Sequence, residues 1–281
     1  MALRAKLPVL LFAAAMSGCA VQPALPSAKI LLLGEVHDNP LGHQQRFADL
    51  QKRVEAGWRP AIVMEQFDRG NQAALTQALA SCVDAQCVIH AAGGNRWEWP
   101  YYEPVITLAL RHRLPLLAGN VSRAEAAMVM KHGFAAVLGA DTVAAFRLDE
   151  PLPVDLFEGQ RHAIEIGHCG KLPLGMAQGM VRAQVARDVW MAKMLQNNAS
   201  SGGAVLLAGN GHVRKDLGVP RWLVLTTAPS RFQVHAYTEK GGADNATGYD
   251  VIHTVAVHPR PDPCLAFATP SAASKAPNPK E

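Results

Sequence analysis

The chain has 281 residues, of which 49% are hydrophobic and 18% are charged, and its formal net charge at pH 7 is +4. This length and composition fit one large α/β domain or two small ones, with enough apolar residues for a substantial core. The sequence contains no lysine- or arginine-rich run and no basic stripe interleaved with aromatic residues, which argues against a nucleic-acid partner.

Residues 1–18 have the pattern of a signal peptide: Arg4 and Lys6 are followed by the apolar run 7–16 and then by small residues. The apolar run is too short to span a bilayer as a stable helix. Met16-Ser-Gly-Cys19 is similar to the bacterial lipobox, in which the cysteine becomes the lipidated first residue of the mature protein. We therefore expect a lipid, such as palmitate, at Cys19, a tether over residues 19–28 and attachment to the outer membrane. The alternative is an ordinary cleaved signal peptide in which this cysteine is coincidental.

Four cysteines remain after Cys19, and an even number in an exported protein favours disulfides. Four cysteines allow three pairings, and the sequence alone does not choose among them. We expect Cys82 to pair locally with Cys87, and Cys169 to pair with Cys264 and so hold the C-terminal tail. A zinc site is the alternative, but these spacings match no familiar zinc motif.

Hydrophobic runs bounded by turn residues predict strands and helices that alternate along the chain. We predict strands at 29–33, 61–64, 114–118 and 204–208, and helices at about 41–56, 71–80, 83–90, 103–113, 123–132, 141–148 and 174–198. Asn39 followed by Pro40 is a helix-start signal. Residues 151–173 are expected to be irregular. Residues 222–227, 231–238 and 249–257 alternate in places with period two, which predicts an antiparallel extension.

This alternation predicts a three-layer α/β fold with a mainly parallel sheet and an antiparallel C-terminal extension. We expect one domain over residues 29–258. Residues 259–281, rich in proline, alanine, serine and lysine, are expected to be mostly disordered apart from Cys264.

Two predicted strands end in the same way. Residues 30–33 run into Gly34-Glu-Val-His37, and residues 205–208 run into Gly209-Asn-Gly-His212. Glycine allows a sharp turn, and ligands of open α/β sheets bind beyond the carboxyl ends of the strands. We therefore expect the two histidines to share a site.

Further polar residues are predicted to converge on this edge, although each has a structural alternative. Glu35 could simply pair with Arg46, and the asparagines could satisfy backbone groups in turns. Gln184, Arg187, Asp188 and Met191 recur at spacings of three and four on a predicted helix, so Arg187 and Asp188 could form a polar network that steadies the two turns; the alternative is a solvated helix face. The histidines at 90, 112, 132, 235, 253 and 258 have no such context and are interpreted as structural or surface residues. The candidate pocket residues are Glu35, His37, His43, Glu65, Asn120, His168, Arg187, Asn210 and His212.

Several blocks together resemble the ChaN family of bacterial haem-binding lipoproteins, within the Tiki/TraB superfamily. They are Gly34-Glu-Val-His-Asp-Asn-Pro-x-Gly-His43, Met64-Glu65, Leu117-x-Gly-Asn120, His168-Cys169, Gln184-x-x-x-Asp188 and Ala208-Gly-Asn-Gly-His-Val-Arg214. The resemblance implies an α/β fold, a link to iron acquisition, and haem held at a dimer interface where a tyrosine can ligate the iron.

The leading hypothesis is a haem-binding outer-membrane lipoprotein of a Gram-negative bacterium that acts with haem-uptake machinery and needs no catalytic turnover. The candidate iron ligands are Tyr101, Tyr102 and His168, and Arg187 or Arg214 could meet the propionates. A possible homodimer follows from the resemblance.

Two other hypotheses remain open. In a metal-dependent hydrolase, His37 and His212 would bind zinc or manganese, and Glu35 or Glu65 would complete the site or act as general base. In a structural envelope lipoprotein, the polar edge would bind nothing.

Overall fold

The structure is a computed structural model that describes residues 29–173, 175–199, 202–226, 232–242 and 246–267. The predicted signal peptide, the lipidation site Cys19, the tether and the end of the tail lie outside the described residues. Within the described part of the chain, no helix is both long enough and apolar enough to cross a bilayer.

Six parallel strands form a single sheet in the order β3-β2-β4-β1-β5-β6. The short central strands β1 and β4 are wholly buried, as expected for continuous hydrophobic runs in a parallel sheet. This architecture confirms the predicted α/β class and the mainly parallel sheet. The strands are β1 (Ile30–Leu33), β2 (Ala61–Asp68), β3 (Leu116–Asn120), β4 (Ala204–Leu207), β5 (Phe232–Glu239) and β6 (Val251–Val255).

The predicted antiparallel extension is wrong. β5 pairs with β1 and with β6 in parallel register. Parallel neighbours need a long connection, and the eleven residues between Glu239 and Val251 provide one. The predicted strand at 222–227 is also wrong, because Val219–Thr226 is a helix that buries Trp222 and Leu223 in the core.

Helices cover both faces of the sheet. At the start of α1, the Asn39 side chain accepts a hydrogen bond from the Gly42 amide and Pro40 occupies the first turn, as predicted. The prediction of an irregular segment at 151–173 is wrong for Val154–Gly167, which form α8. The helices are α1 (Pro40–Glu55), α2 (Gln72–Ser81), α3 (Ala85–Ala92), α4 (Glu103–His112), α5 (Arg123–His132), α6 (Ala135–Leu138), α7 (Ala140–Ala145), α8 (Val154–Gly167), α9 (Met176–Asn198), α10 (Asn210–Val213) and α11 (Val219–Thr226).

Alternate residues of each strand face opposite layers, which gives two cores. On one face, Ile30 and Leu32 pack with residues of α5, α8, α9 and α11. On the other face, Leu31 and Leu33 pack with residues of α1 to α4. Complete burial of each such side chain contributes roughly 1.5–3 kcal/mol, so the central strands are firmly held. The two turns that follow β1 and β4 are therefore built on the most rigid part of the molecule.

Both expected disulfides are present, Cys82–Cys87 and Cys169–Cys264. The second joins the end of α8 to a short 3-10 helix at Pro263–Phe267. Within the described residues, the chain beyond 259 is therefore attached to the domain, and more of it is ordered than Cys264 alone.

Candidate functional site

The two Gly-x-x-His turns lie side by side at the carboxyl edge of the sheet, because β1 and β4 are neighbouring parallel strands. The Asn210 amide donates a hydrogen bond to the Glu35 carbonyl oxygen at 2.9 Å. A Cβ atom on Gly209 would lie only 2.8 Å from His37 Nε2, so the imidazole packs directly on this glycine. The sequence motif therefore brings both turns into one place.

The Glu35 carboxylate is the centre of a buried hydrogen-bond network beneath this edge. Its Oε1 accepts from the Tyr102 hydroxyl at 2.6 Å and lies 2.8 Å from His37 Nδ1, while Oε2 accepts from Arg46. Burial alone would raise the pKa of Glu35, but Arg46 and the neighbouring histidines outweigh it and lower the pKa to about 2. The carboxylate is therefore ionised, and it fixes the orientation of the His37 ring.

His43 closes this network from the first turn of α1. Arg46 Nη2 donates to His43 Nδ1 at 3.1 Å, so the ring proton is assigned to Nε2, which lies 2.9 Å from the His37 carbonyl oxygen. Burial lowers the pKa of His43, and Arg46 adds to this effect. His43 is therefore a neutral ring that supports the turn, and its face stacks on the Tyr101 ring at a centroid distance of 4.8 Å.

A second buried network lies below the other turn. His212 Nδ1 is 2.6 Å from Asp188 Oδ1, and Nε2 is 3.5 Å from Glu65 Oε1. Burial alone would lower the pKa of His212, but the two carboxylates raise it above its usual value. Glu65 also accepts a hydrogen bond from the Gly209 amide at 2.8 Å, and Gln160 donates to Asp188 at 3.3 Å. This network links the turn after β4 to helices α8 and α9.

Three rings beside the networks are not buried, and we call them the rim: His37, Trp97 and Tyr101, of which the first two contact each other and the third stacks on His43. The His37 side chain is 49% exposed, and the edge of its ring meets Trp97 at a centroid distance of 5.2 Å. Within the described part of the chain, the Tyr101 ring stacks on His43 and its hydroxyl makes no hydrogen bond. The rim thus combines aromatic surface with an imidazole and a free phenol.

The remaining candidate residues lie in different surroundings. Asn120 donates to Asp68 at 3.0 Å, and Asn210 Nδ2 donates to the Tyr237 carbonyl oxygen at 2.8 Å. Arg187 is partly buried, donates to the Val121 carbonyl oxygen at 3.3 Å and also faces Glu65 and Asp68.

Three candidates are placed less favourably for a ligand role. His168 follows α8, with Nδ1 2.7 Å from the Ile164 carbonyl oxygen. Arg214 forms a double hydrogen bond with Asp216, at 3.0 and 2.6 Å. Tyr102 is fully buried with its hydroxyl on Glu35, which suits a structural role and not contact with iron at the surface.

Sequence reasoning missed two members of the networks. Gln66 donates to Glu35 at 3.3 Å, and Gln160 joins Asp188 to the Leu217 carbonyl oxygen. Gln66 follows Glu65 at the end of a predicted strand, and this position could have indicated that it belongs to the site. Gln160 lies in the segment expected to be irregular, and no sequence signal pointed to it.

In chemical terms, two imidazoles are each held through Nδ1 by a buried carboxylate, Glu35 for His37 and Asp188 for His212. Such pairs fix ring orientation and are typical of histidines that ligate metals through the other nitrogen.

The family model that describes haem-binding uptake proteins of the Tiki superfamily, ChaN, matches residues 22–223. Among solved structures, haem-bound ChaN of Campylobacter jejuni, described as binding haem cofacially, superposes with a TM-score of 0.63 at 21% identity. That match covers 80% of this chain and 86% of the other, and it shows a shared fold. Comparison with curated proteins gives no significant match.

Two more distant structures also align. The type III effector HopBA1 aligns with a TM-score of 0.42 at 12% identity, over 82% of this chain and 88% of its own. The erythromycin esterase EreC aligns with a TM-score of 0.41 at 14% identity, over 75% of this chain and 70% of its own. Similarities at this level carry no functional argument.

Proposed function

Because this chain belongs to the ChaN family of haem-binding uptake proteins in the Tiki superfamily, we propose that it binds haem at the rim formed by His37, Trp97 and Tyr101. The observation that carries this proposal is the Tyr101 phenol, which has no hydrogen-bond partner in the described structure and stacks on His43, the ring that contacts the backbone of the half-exposed His37.

The residues of the rim fit the chemistry of haem. A tyrosine oxygen is an established ligand of ferric haem, and the Tyr101 hydroxyl has no competing partner in the described structure. The Tyr101 ring is held in place by stacking on the buried His43, which is itself tied to Arg46. A phenol positioned in this way needs no rearrangement of the core in order to reach iron.

The surroundings of Tyr101 also suit a porphyrin. Trp97 and the exposed side of His37 offer an apolar and aromatic contact surface. Arg96 is 42% exposed and lies 3.4 Å from Asp68, and Arg187 faces the same carboxylate. These guanidinium groups supply the positive charge that haem propionates require.

Titration of the purified full chain with hemin tests the proposal. We expect a Soret band that saturates at a simple ratio, with a charge-transfer band typical of tyrosinate ligation. Tyr101→Phe keeps the stacked ring but removes the ligand, so it should weaken binding by more than about tenfold. Tyr249→Phe, at a tyrosine whose hydroxyl lies 3.3 Å from the Asn210 carbonyl oxygen, is the matched control. If Tyr101→Phe leaves the spectrum and affinity unchanged, Tyr101 is not the ligand. If the wild-type protein produces no saturable band, haem binding itself is wrong.

We further propose that the chain is an envelope lipoprotein in iron uptake, anchored at Cys19, that delivers haem to uptake machinery. The lipobox-like Met16–Cys19 sequence and family membership support this proposal.

A flat haem on an exposed rim would leave one face in water, so a homodimer that covers this face is part of the same proposal. Metabolic labelling with a palmitate analogue, compared in the wild type and in Cys19→Ser, tests the anchor. Light scattering with and without hemin tests the dimer.

One observation favours a second candidate function, a metal-dependent hydrolase. Glu35 and Asp188 hold His37 and His212 through their Nδ1 atoms, and the Glu65 carboxylate faces both rings. A divalent ion bound by the Nε2 atoms and Glu65 would activate a water. The raised pKa of His212 opposes this use, because the ring must lose its proton before it can bind a metal.

Metal analysis of protein that has not been exposed to chelators tests this second function. Stoichiometric zinc or manganese that is lost in both His37→Ala and His212→Ala would support it. Metal content that is unaffected by both substitutions would exclude these residues as the ligands.

A further inference from the structure

Asp49, His235 and His253 form a cluster of potential metal ligands that is separate from the rim and from both buried networks. One ligand atom from each of the three lies within 4.8 Å of the other two, and no other group of this kind occurs within the described residues. His235 Nδ1 is 3.1 Å from His253 Nε2, and Asp49 Oδ2 is 3.6 Å from the same nitrogen.

Three elements bring these residues together. Asp49 lies on α1, His235 on β5 and His253 on the edge strand β6. In the parallel register, Tyr237 on β5 lies opposite His253, so the side chains of His235, Tyr237 and His253 share the face that α1 covers. These residues are far apart in sequence, and only the parallel pairing of β5 and β6 brings them together.

The buried Tyr237 orients two of the three ligands. Its hydroxyl donates to Asp49 Oδ2, and its ring stacks on His253 at a centroid distance of 4.5 Å with an interplanar angle of 7°. Metal-binding carboxylates are themselves commonly hydrogen-bonded, and this contact fixes their geometry. Asp49 and His253 are therefore positioned before any ion arrives.

His235 is difficult to explain as a packing residue. It is 6% exposed, and its buried Nε2 has no hydrogen-bond partner in the described structure. A buried nitrogen without a partner calls for an explanation such as a water, and Nε2 is the ring atom that would keep the proton if Nδ1 binds an ion. Its other nitrogen, Nδ1, points at His253. With the proton on Nε2, Nδ1 presents its lone pair to the cluster and can act as a ligand.

We propose that Asp49, His235 and His253 bind a divalent transition-metal ion such as zinc. Two imidazole nitrogens and one carboxylate oxygen are typical zinc ligands, and tetrahedral zinc places neighbouring ligand atoms roughly 3.3 Å apart. The observed separations of 3.1 and 3.6 Å lie on either side of this value. The Asp49 side chain is 35% exposed and the His253 side chain 21%, so an ion has access from solvent, and a water can complete its coordination.

The charged groups around the site are partly balanced. Arg53, one turn further along α1, faces His235 and opposes a cation, whereas Asp49 and Asp250 favour one. Removal of the opposing charge in Arg53→Gln should therefore tighten zinc binding. Mg²⁺ and Ca²⁺ prefer oxygen ligands, and they should not compete.

The test is a zinc titration against a chromophoric chelator, using the full chain without a histidine tag. All variants carry His37→Ala, so that zinc bound at the proposed hydrolase site does not contribute. In this background we expect about one equivalent of zinc, with affinity reduced by more than about tenfold in Asp49→Asn and in His253→Ala. His132→Ala, at an exposed histidine on α5, is the matched control and should have no effect.

Circular dichroism establishes whether each variant is folded. If His253→Ala does not fold, Asp49→Asn, the milder change, still tests the proposal. Unchanged zinc affinity in a folded Asp49→Asn or His253→Ala protein would overturn the proposal. Binding of Mg²⁺ with the same affinity as zinc would also overturn the proposal. A crystal structure with an anomalous zinc peak about 2.0–2.2 Å from the three ligand atoms would establish the site directly.

Discussion

At the scale of single residues, the Glu35–Arg46 ion pair is the most consequential contact at the candidate site. Both side chains are essentially inaccessible to solvent, and the pair joins the turn after β1 to helix α1. Bringing two charges into the interior is costly, so the pair contributes less to stability than its Coulomb attraction suggests. Loss of one member is far worse, because the other is then left as a buried, unpaired charge.

We therefore expect Glu35→Gln to reduce the free energy of unfolding by about 3–5 kcal/mol at pH 7. Urea denaturation followed by circular dichroism measures this change. Glu55→Gln, at the exposed end of α1, is the matched control and should change stability by less than about 0.5 kcal/mol. A loss for Glu35→Gln as small as that of the control would mean that the network does not hold this edge.

The pKa of Glu35 also predicts how stability depends on pH. Its folded pKa of about 2 is below the usual glutamate pKa of 4.5, so its contribution to stability is complete above pH 4.5 and is lost as the pH falls towards 2. At about 1.4 kcal/mol per pKa unit, this buried carboxylate should lose about 3 kcal/mol of stabilisation.

Denaturation at a series of pH values from 2 to 7 checks this expectation. Stability of the wild type should fall more steeply below pH 4.5 than stability of Glu35→Gln, which lacks the titrating group. Parallel curves for the two proteins would contradict the depressed pKa.

The sequence identified much of the site at this scale, and physical reasons explain what it missed. Glu35, His37, Glu65 and His212 follow predicted strands, and parallel strands bring their ends to one edge. His235 and His253 gave no such signal, because they lie inside strands whose pairing was predicted to be antiparallel.

At the scale of elements, Gly209 controls the approach of the turn after β4 to His37. A Cβ atom there would lie 2.8 Å from His37 Nε2, whereas a Cβ on Gly211, two residues later, would meet nothing within 4 Å. The two glycines of this motif therefore differ: Gly209 is needed for close packing against His37, whereas Gly211 has room for a side chain.

Gly209→Ala should displace the His37 ring, reduce stability by about 1–3 kcal/mol and weaken hemin binding at the rim. Gly211→Ala adds the same methyl group inside α10 and should be neutral or stabilising by up to about 1 kcal/mol. Thermal unfolding and hemin titration of both variants measure these effects. Equal behaviour of the two variants would show that contact with Gly209 does not position His37.

Most elements were predictable because their hydrophobic patterns matched their environments. The exceptions have specific causes. In α11, the apolar residues 222–225 read as a strand, but Pro220 lies in the first turn of the helix and Trp222 and Leu223 face the core. α8 buries only Leu156 and Gln160 among its fourteen residues, and the polar and charged residues of its remaining surface led to the prediction of an irregular segment.

At the scale of the whole molecule, the two disulfides close loops of very different length. Cys169 and Cys264 are 95 residues apart in sequence, whereas Cys82 and Cys87 are 5 apart. In the chain-entropy model, a cross-link that closes a longer loop removes more freedom from the unfolded chain. The long-range disulfide also joins the end of the chain to α8.

We expect the Cys169→Ser/Cys264→Ser protein to lose about 4–5 kcal/mol, and the Cys82→Ser/Cys87→Ser protein to lose about 2 kcal/mol. Urea denaturation of the three oxidised proteins gives the comparison. A larger loss for the short-range pair would contradict the loop-length argument and would indicate that local packing dominates.

The polarity of β1 determines which way the domain presents its rim. The described chain enters the sheet at the amino end of this strand, and His37 of the rim follows its carboxyl end. If Cys19 is acylated, the membrane anchor would lie on the side where the chain enters β1, and the proposed haem-binding rim would face away from the lipid headgroups. A soluble haem carrier could then dock on the rim without first displacing the bilayer.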